Sequence, residues 1–307
     1  MSQIFGPVPS RRLGFSLGID VIPYKTCSFD CVYCQLGKTT YKTVERREYV
    51  SQKVVLNGVE QVLKQDRKID YITFSGSGEP TLNSQIGQMI HEIKKMTSLP
   101  VAVLTNGSLL FQAKLREELY QADLVIPSLD AVSQEVFLKV NRPHFSLKID
   151  EIIRGIKEFC GKFTGEVWLE IMLVEGINDT EEEIEKLAST LSEIDLDRVQ
   201  LNTVIRPPAE EFARPVNLAR LKEVKNIFGK KCEIIVEVER THQKSFKKDI
   251  SEAIQTMIKR RPVTLEDLCQ SLGLHRNEVI KYVESLEKQG GIRSKLHSQK
   301  RYYYYGK

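Results

Sequence analysis

Three of the six cysteines fall within eight residues, Cys27-Ser28-Phe29-Asp30-Cys31-Val32-Tyr33-Cys34. Thiolates favour zinc and iron–sulfur clusters. A structural zinc needs a fourth Cys or His close by. None precedes Cys27, and the next residue of either kind after Cys34 is His91. The unequal spacing suits three corners of a cubane and leaves a fourth iron without a protein ligand. An open iron implies a small-molecule ligand, and the rest of the chain must supply its place.

The elements that position this loop alternate regularly. Ser16 to Pro23 is short, apolar and rich in β-branched residues, which predicts a strand running straight into the cysteines. Further strands are expected at Tyr71–Ser75, Val101–Gly107, Leu124–Asp130, Val167–Val174 and Arg198–Ile205. Between them lie helical patterns over 52–65, Gln85–Met96, Gln112–Gln121, Lys148–Cys160 and Glu181–Ile194, with Leu218–Phe228 after the last strand. Asp179 or Thr180 caps the helix that begins at Glu181. Strands separated by helices make right-handed crossover units and a parallel sheet. Six strands are too few for an eight-fold barrel, so the expected class is α/β, an open partial (β/α)6 barrel. Residues 6–14, rich in Pro and Gly, read as a loop. Arg11 and Arg12 in that loop either hold an anion or are solvated.

Ligands bind outside the C-terminal ends of such strands, and the polar residues gather there. The cysteine loop follows the first strand, and Ser75-Gly76-Ser77-Gly78-Glu79-Pro80-Thr81-Leu82 follows the second. Asn106-Gly107 follows the third, and Ser128 and Asp130 end the fourth. Glu170 lies inside the fifth, while Asn202 and Arg206 lie on or just after the sixth. A glycine pair before an acid lets backbone approach a ligand, with Glu79 as an acceptor for an ammonium.

Cys27-x3-Cys31-x2-Cys34, with Tyr33 before the last cysteine, resembles the signature of the radical S-adenosylmethionine (radical SAM) superfamily. Gly76-Ser77-Gly78-Glu79-Pro80 resembles its second motif, the turn that receives the methionine amino group. The resemblance covers roughly residues 14–235. Within the superfamily, Pro7–Gly14, Ser75–Leu82 and Ser128-Leu129-Asp130-Ala131 are similar to the branch containing wyosine-type tRNA enzymes.

This resemblance implies a [4Fe–4S] cluster on Cys27, Cys31 and Cys34, with S-adenosylmethionine (SAM) chelating the open iron. It also implies a one-electron donor such as flavodoxin or ferredoxin. Reductive cleavage of the sulfonium would then yield a 5′-deoxyadenosyl radical for hydrogen abstraction, the protein supplying placement and water exclusion. Ser128 and Asp130 become candidates for the ribose hydroxyls, or form only a strand-end turn. Asn106 faces the cofactor or forms the Asn-Gly turn. Glu170 and Asn202 bind cofactor or substrate, or, for Glu170, point to solvent. Arg206 reaches a carboxylate or serves the loop. His144 is a substrate contact or a solvated loop histidine. Cys160, Cys232 and Cys269 have no cysteine close in sequence and are expected to be inert.

Of 307 residues, 41% are hydrophobic, enough for one large domain and a small one. No signal peptide or long apolar run stands out, so a cytoplasmic protein with no membrane partner is expected. The net charge of +4 is unevenly spread, because residues 240–307 hold fifteen Lys and Arg against seven Asp and Glu. A basic module is therefore expected at 241–307, after a domain at 1–240. It reads as helices at Asp249–Lys259, Thr264–Ser271 and Asn277–Gln289 and a hairpin over 292–305, a pattern that looks like a winged helix-turn-helix. His275, Arg276, Asn277 and Lys281, with Arg293, Lys295, Lys300 and Arg301, would then face RNA or DNA. Alternatively the module docks protein or serves as a lid.

These readings leave three functions open. The first is a radical SAM enzyme with a substrate on tRNA or another nucleic acid. The second is a radical SAM enzyme acting on a protein or small metabolite. The third is a cluster-based DNA-binding regulator.

Overall fold

The computed structural model describes residues 3–10, 12–65, 67–235, 250–274 and 276–306. Arg11 and His275, and the side chains of Arg276, Asn277 and Lys281, lie outside the described residues, as does the expected boundary at 240/241.

The chain opens with an antiparallel pair, β1 (Ile4–Ser10) and β2 (Gly14–Ile19). A two-residue parallel pair, β3 (Thr26–Cys27) and β4 (Tyr41–Lys42), brackets the cysteine loop. The alternation then runs α1 (Gln52–Leu63), β5 (Tyr71–Phe74), α2 (Ile86–Met96), β6 (Val101–Thr105), α3 (Ala113–Leu119) and β7 (Leu124–Pro127). It continues with α4 (Gln134–Val140), α5 (Ile149–Cys160), β8 (Glu166–Leu173), α6 (Glu181–Ser192), β9 (Arg198–Thr203), α7 (Leu218–Phe228) and β10 (Cys232–Ile234).

The large sheet has the order β1-β2-β5-β6-β7-β8-β9-β10. From β2 to β10 every neighbouring pair is parallel. This is the expected open barrel of six strands, extended by one strand at each edge. A strand covered on both faces can be apolar throughout, as in β7, where all four residues are buried. The strand β1 replaces the loop expected over residues 6–14. Proline cannot donate to a ladder, but an edge strand has one free side, so Pro7 and Pro9 are tolerated there. The short helix α4 also escaped the sequence reading. Thr180, rather than Asp179, caps α6 by accepting from the amide of Glu183.

The C-terminal residues form a second core. They contribute α8 (Ile250–Arg260), β11 (Val263–Thr264), α9 (Leu265–Leu272), α10 (Arg276–Lys288), β12 (Ile292–His297) and β13 (Lys300–Tyr305). The three strands pair antiparallel in the order β11-β13-β12. Ser298 and Gln299 both have positive φ, 46° and 62°, which suits a two-residue hairpin turn. Thr264 and Asp267 form a reciprocal capping box, and Gly273 ends α9 in the left-handed conformation.

This unit packs against the barrel. Val8 of β1 lies against its core of Ile254, Ile258, Leu268 and Val283. The Tyr302 hydroxyl donates to the carbonyl of Ile205, just past β9, at 2.6 Å. On the other side of the lateral opening, Arg260 pairs with Asp20, just past β2. The unit therefore touches both edges of the opening at the C-terminal rim of the sheet.

Candidate active site

The cysteine loop is fixed from three directions. Its start is laced to the glycine turn after β5, with Lys25 N donating to Ser77 O at 2.7 Å and Glu79 N to Thr26 O at 3.2 Å. Its middle hangs on the end of α4, where Asp30 N and Val32 N donate to Asn141 O and Val140 O. Phe29 packs edge-on against Phe137 of α4, 5.3 Å between ring centres. On the third side, Glu210 N, after β9, donates to Val32 O at 3.0 Å.

All three cysteines border one cavity of about 320 Å³, shared with Gly76, Ser77, Gly78, Ser128, Glu170 and Asn202. A larger open groove, about 660 Å³, lies between α4 and the start of α6 on the outer face. It holds no thiol, so the smaller cavity is the candidate site. Each sulfur has a nitrogen donor close by. Asn106 Nδ2 lies 3.5 Å from Cys27, Asn141 Nδ2 3.4 Å from Cys31, and Lys25 Nζ 3.3 Å from Cys34. Burial pushes the Cys27 thiol up to about 12 and raises that of Cys31 as well. These two thiols, Cys27 and Cys31, therefore give up their protons more readily to a metal than to water. Among the described residues no three His, Cys, Asp or Glu groups are placed to hold a single metal ion. Soft donors around a shared space, each sulfur within reach of an N–H, fit a cluster with three thiolate ligands.

The polar residues singled out from the sequence divide into two sets. Those on the cavity wall include Arg12, Glu170, Asn202 and Arg206. Arg12 Nη1 pairs with Glu170 Oε2 at 2.9 Å and also donates to Gln200 Oε1. Asn202 donates to Glu170 Oε1 at 2.9 Å. The partly buried carboxylate thus has the partners that burial demands. Arg206 donates to Gln35 Oε1 at 3.2 Å and lies 4.0 Å from Asp267 of α9. Burial raises the Asp267 carboxyl, but the Arg206 charge and the capping bonds outweigh it, so the net shift is down.

The second set stands behind the wall. Glu79 is buried and accepts from Thr81 N and Oγ1, Thr105 Oγ1 and Asn106 N, all at 3.0 Å or less. It ties the turn after β5 to the end of β6 rather than bordering the cavity. Asn106 donates to Ser28 Oγ at 2.8 Å, supporting the loop from below. Asp130 accepts from the Tyr33 hydroxyl, from Asn141 Nδ2 at 2.6 Å and from Met172 N at 2.8 Å. Of the two residues considered for ribose contacts, Ser128 borders the cavity and Asp130 does not. Pro80 opens a buried single-turn 3-10 helix. His144 is half-buried, bonds Ser146 Oγ at 2.9 Å and lies off the cavity wall. Lys25 and Asn141 were not singled out as site residues. Neither belongs to a spaced motif, and only the fold brings them to sulfur.

Burial raises the Asp130 carboxyl from 3.8 to about 6, against the hydrogen bonds it accepts. The folded chain then holds this proton more tightly than the unfolded one. Its contribution to stability is present below the lower value and is lost as pH climbs through the higher. Urea unfolding of the metal-free protein should show wild type losing stability relative to Asp130→Asn between those two pH values, with parallel curves above them. Parallel curves throughout would place the titration elsewhere.

The sequence profile of the Radical SAM superfamily matches residues 21–190, more than half of the chain. The protein belongs to the radical SAM superfamily, the enzyme class that carries a [4Fe–4S] cluster and SAM. It is similar to a UPF0026 protein of Methanocaldococcus jannaschii, 40% identical over 231 residues, 75% of this chain and 72% of that one. It is 38% identical over 297 residues to a protein of Brachyspira hyodysenteriae named GTPase Obg. That match covers 96% of this chain but only 44% of the relative, so the chain spans less than half of it. A more distant relative, 27% identical over 222 residues, is ribosomal RNA large subunit methyltransferase N of Nitrosopumilus maritimus, with 69% of this chain and 61% of that one covered. Two solved structures share the fold. One is a radical SAM methyltransferase from Sphaerobacter thermophilus, with TM-score 0.58, 21% identity, and coverage of 71% of this chain and 65% of that one. The other is TYW1 with a lysine-pyruvate adduct bound, with TM-score 0.52, 15% identity, and coverage of 73% and 75%.

Proposed function

We propose that this radical SAM enzyme acts on a substrate carried by RNA, with a tRNA base as the leading case. The observation that carries the reading is the docking of the C-terminal unit at the rim that holds the cavity, through Tyr302 and Arg260. On this reading residues 241–307 are a winged helix. Arg293, Lys300 and Arg301 are exposed on its hairpin, and Lys295 pairs with Glu211 of the barrel at 3.0 Å. A phosphate backbone held along this hairpin would bring a neighbouring nucleotide to the cavity mouth. The RNA-methylating relative adds support. No helix among the described residues is long and apolar enough to cross a membrane.

In this scheme Cys27, Cys31 and Cys34 hold the cluster, and the turn Gly76–Gly78 receives the methionine end of SAM. Ser128 serves the ribose, while Glu170, oriented by Arg12 and Asn202, offers a fixed acceptor on the opposite wall. Glu79, Asn106 and Asp130 act by holding these groups in place. The cluster, when bound, supplies the single electron that opens the sulfonium. The cavity walls keep water away from the reacting atoms.

The test is release of 5′-deoxyadenosine after anaerobic reconstitution and reduction, with and without bulk tRNA. The expected result is stimulation by tRNA that fades as salt rises. Release indifferent to RNA would sink this reading in favour of a protein or small-molecule substrate. A chain that releases none and footprints DNA would be a regulator.

A further inference from the structure

The Gly76–Ser77 turn leans on one buried carboxylate. The Ser77 hydroxyl donates to Asp20 Oδ2 at 2.5 Å. Gly76 backs onto the same group, and a Cβ built there would meet Asp20 Cγ at 2.5 Å. Asp20 is 7% exposed. A carboxylate buried to that extent needs a counter-charge. The counter-charge comes from the far end of the chain. Arg260, the last residue of α8, pairs with Asp20 across 240 positions of sequence. Its Nη1 also lies 3.4 Å from Ser77 Oγ, and its guanidinium sits 4.7 Å from the centre of the Phe5 ring. On the opposite edge of the opening, Arg206 on the cavity wall faces Asp267 of α9 at 4.0 Å. The C-terminal unit is thus wired to the cavity at two points.

We propose that Arg260 and Asp20 are positioning residues for SAM, through which the C-terminal unit fixes the turn that receives the cofactor. Neutralised by Arg260, Asp20 holds Ser77 and the backbone of Gly76 in place. Without that charge the carboxylate recruits water or another donor, and the turn moves with it. SAM affinity is then coupled to the docking of the C-terminal unit, so a partner bound to that unit changes SAM binding. The coupling is reciprocal. The proposal rests on the reading of Gly76–Gly78 as the SAM turn.

The test measures SAM dissociation constants on the cluster-loaded full chain by equilibrium dialysis, with iron per chain determined alongside. Arg260→Met should bind SAM about tenfold more weakly at unchanged iron content. Arg260→Lys, which keeps the charge, should stay within about threefold of wild type. Gly76→Ala probes the turn directly and should also weaken binding. Equal weakening in the Met and Lys variants would overturn the proposal. So would unchanged binding in Arg260→Met with weakened binding in Gly76→Ala, which leaves the turn reading standing. Unchanged binding in Gly76→Ala removes both. A further measurement needs no variant and covers the case in which Arg260→Met fails to fold. Saturating SAM should slow amide exchange across residues 250–260 of the wild type. Slowing at the turn alone would overturn the coupling.

Discussion

Cys31→Ala is expected to emerge from anaerobic reconstitution colourless, with iron near background and no 5′-deoxyadenosine release above that of the metal-free chain. Two thiolates remain in that variant, and the cavity side of the loop offers no replacement. Asn141 donates to the Cys31 sulfur and accepts nothing there. Loss of one of three ligands is more damaging than loss of an outer hydrogen bond, which typically costs about 10–100-fold in metal affinity. Cys160→Ala and Cys232→Ala provide the contrast. Both cysteines are buried in the main core, remote from the triad in sequence, and their thiols are pushed up to about 12 by burial. Those variants should load iron like wild type and lose only packing energy. Full iron content in Cys31→Ala would overturn the cluster assignment.

Gly78→Ala should cost almost as much, for a steric reason. A Cβ at position 78 would sit 1.8 Å from the carbonyl oxygen of Thr26. That oxygen accepts from Glu79 N, and the next residue along is Cys27. Backbone lies on both sides, so no flexible side-chain end can yield. Either the turn lifts off the cysteine loop or the loop moves. Overpacking of this kind typically costs about 1–3 kcal/mol. Because the displaced atoms belong to the proposed cofactor turn, SAM cleavage should fall by about a hundredfold or more, the equivalent of roughly 3 kcal/mol. Gly161→Ala is the control, since its Cβ would meet nothing nearer than 3.5 Å. A melting curve and a 5′-deoxyadenosine assay on the two variants read both effects. Wild-type cleavage in Gly78→Ala would show that the close approach is not needed.

The parts legible in the sequence are those written locally. The cysteine spacing, the glycine turn and the alternation of apolar strands with amphipathic helices each sit within a few residues, and each lies where its pattern implied. A side chain's direction is not written locally. Glu79 follows β5 as expected, and Asp130 lies just past β7, which stops at Pro127 rather than running on to Asp130, but sequence position does not reveal that Tyr33, Asn141, Thr105 and Asn106 fill their hydrogen bonds. Lys25 and Asn141 carry no motif, and they reach sulfur because the loop folds back across α4 and β4. The strand β1 was hidden by its prolines, whose missing N–H groups matter only if both flanks are paired. The pairing of Arg260 with Asp20 was out of reach because nothing local links positions so far apart.

The join between the first twenty residues and the last sixty also bears on how the molecule is made. Synthesis runs from the N-terminus, and a contact closing 240 residues forms late. Most supports of the cysteine loop arrive sooner. Ser77, Thr43, whose amide donates to Cys27 O, Asn106, Val140 and Asn141 have all been synthesised before α5 begins, and Glu210 follows after β9. The pairing of Arg260 with Asp20 is therefore the last of these contacts the growing chain can make, after every support of the cysteine loop named above.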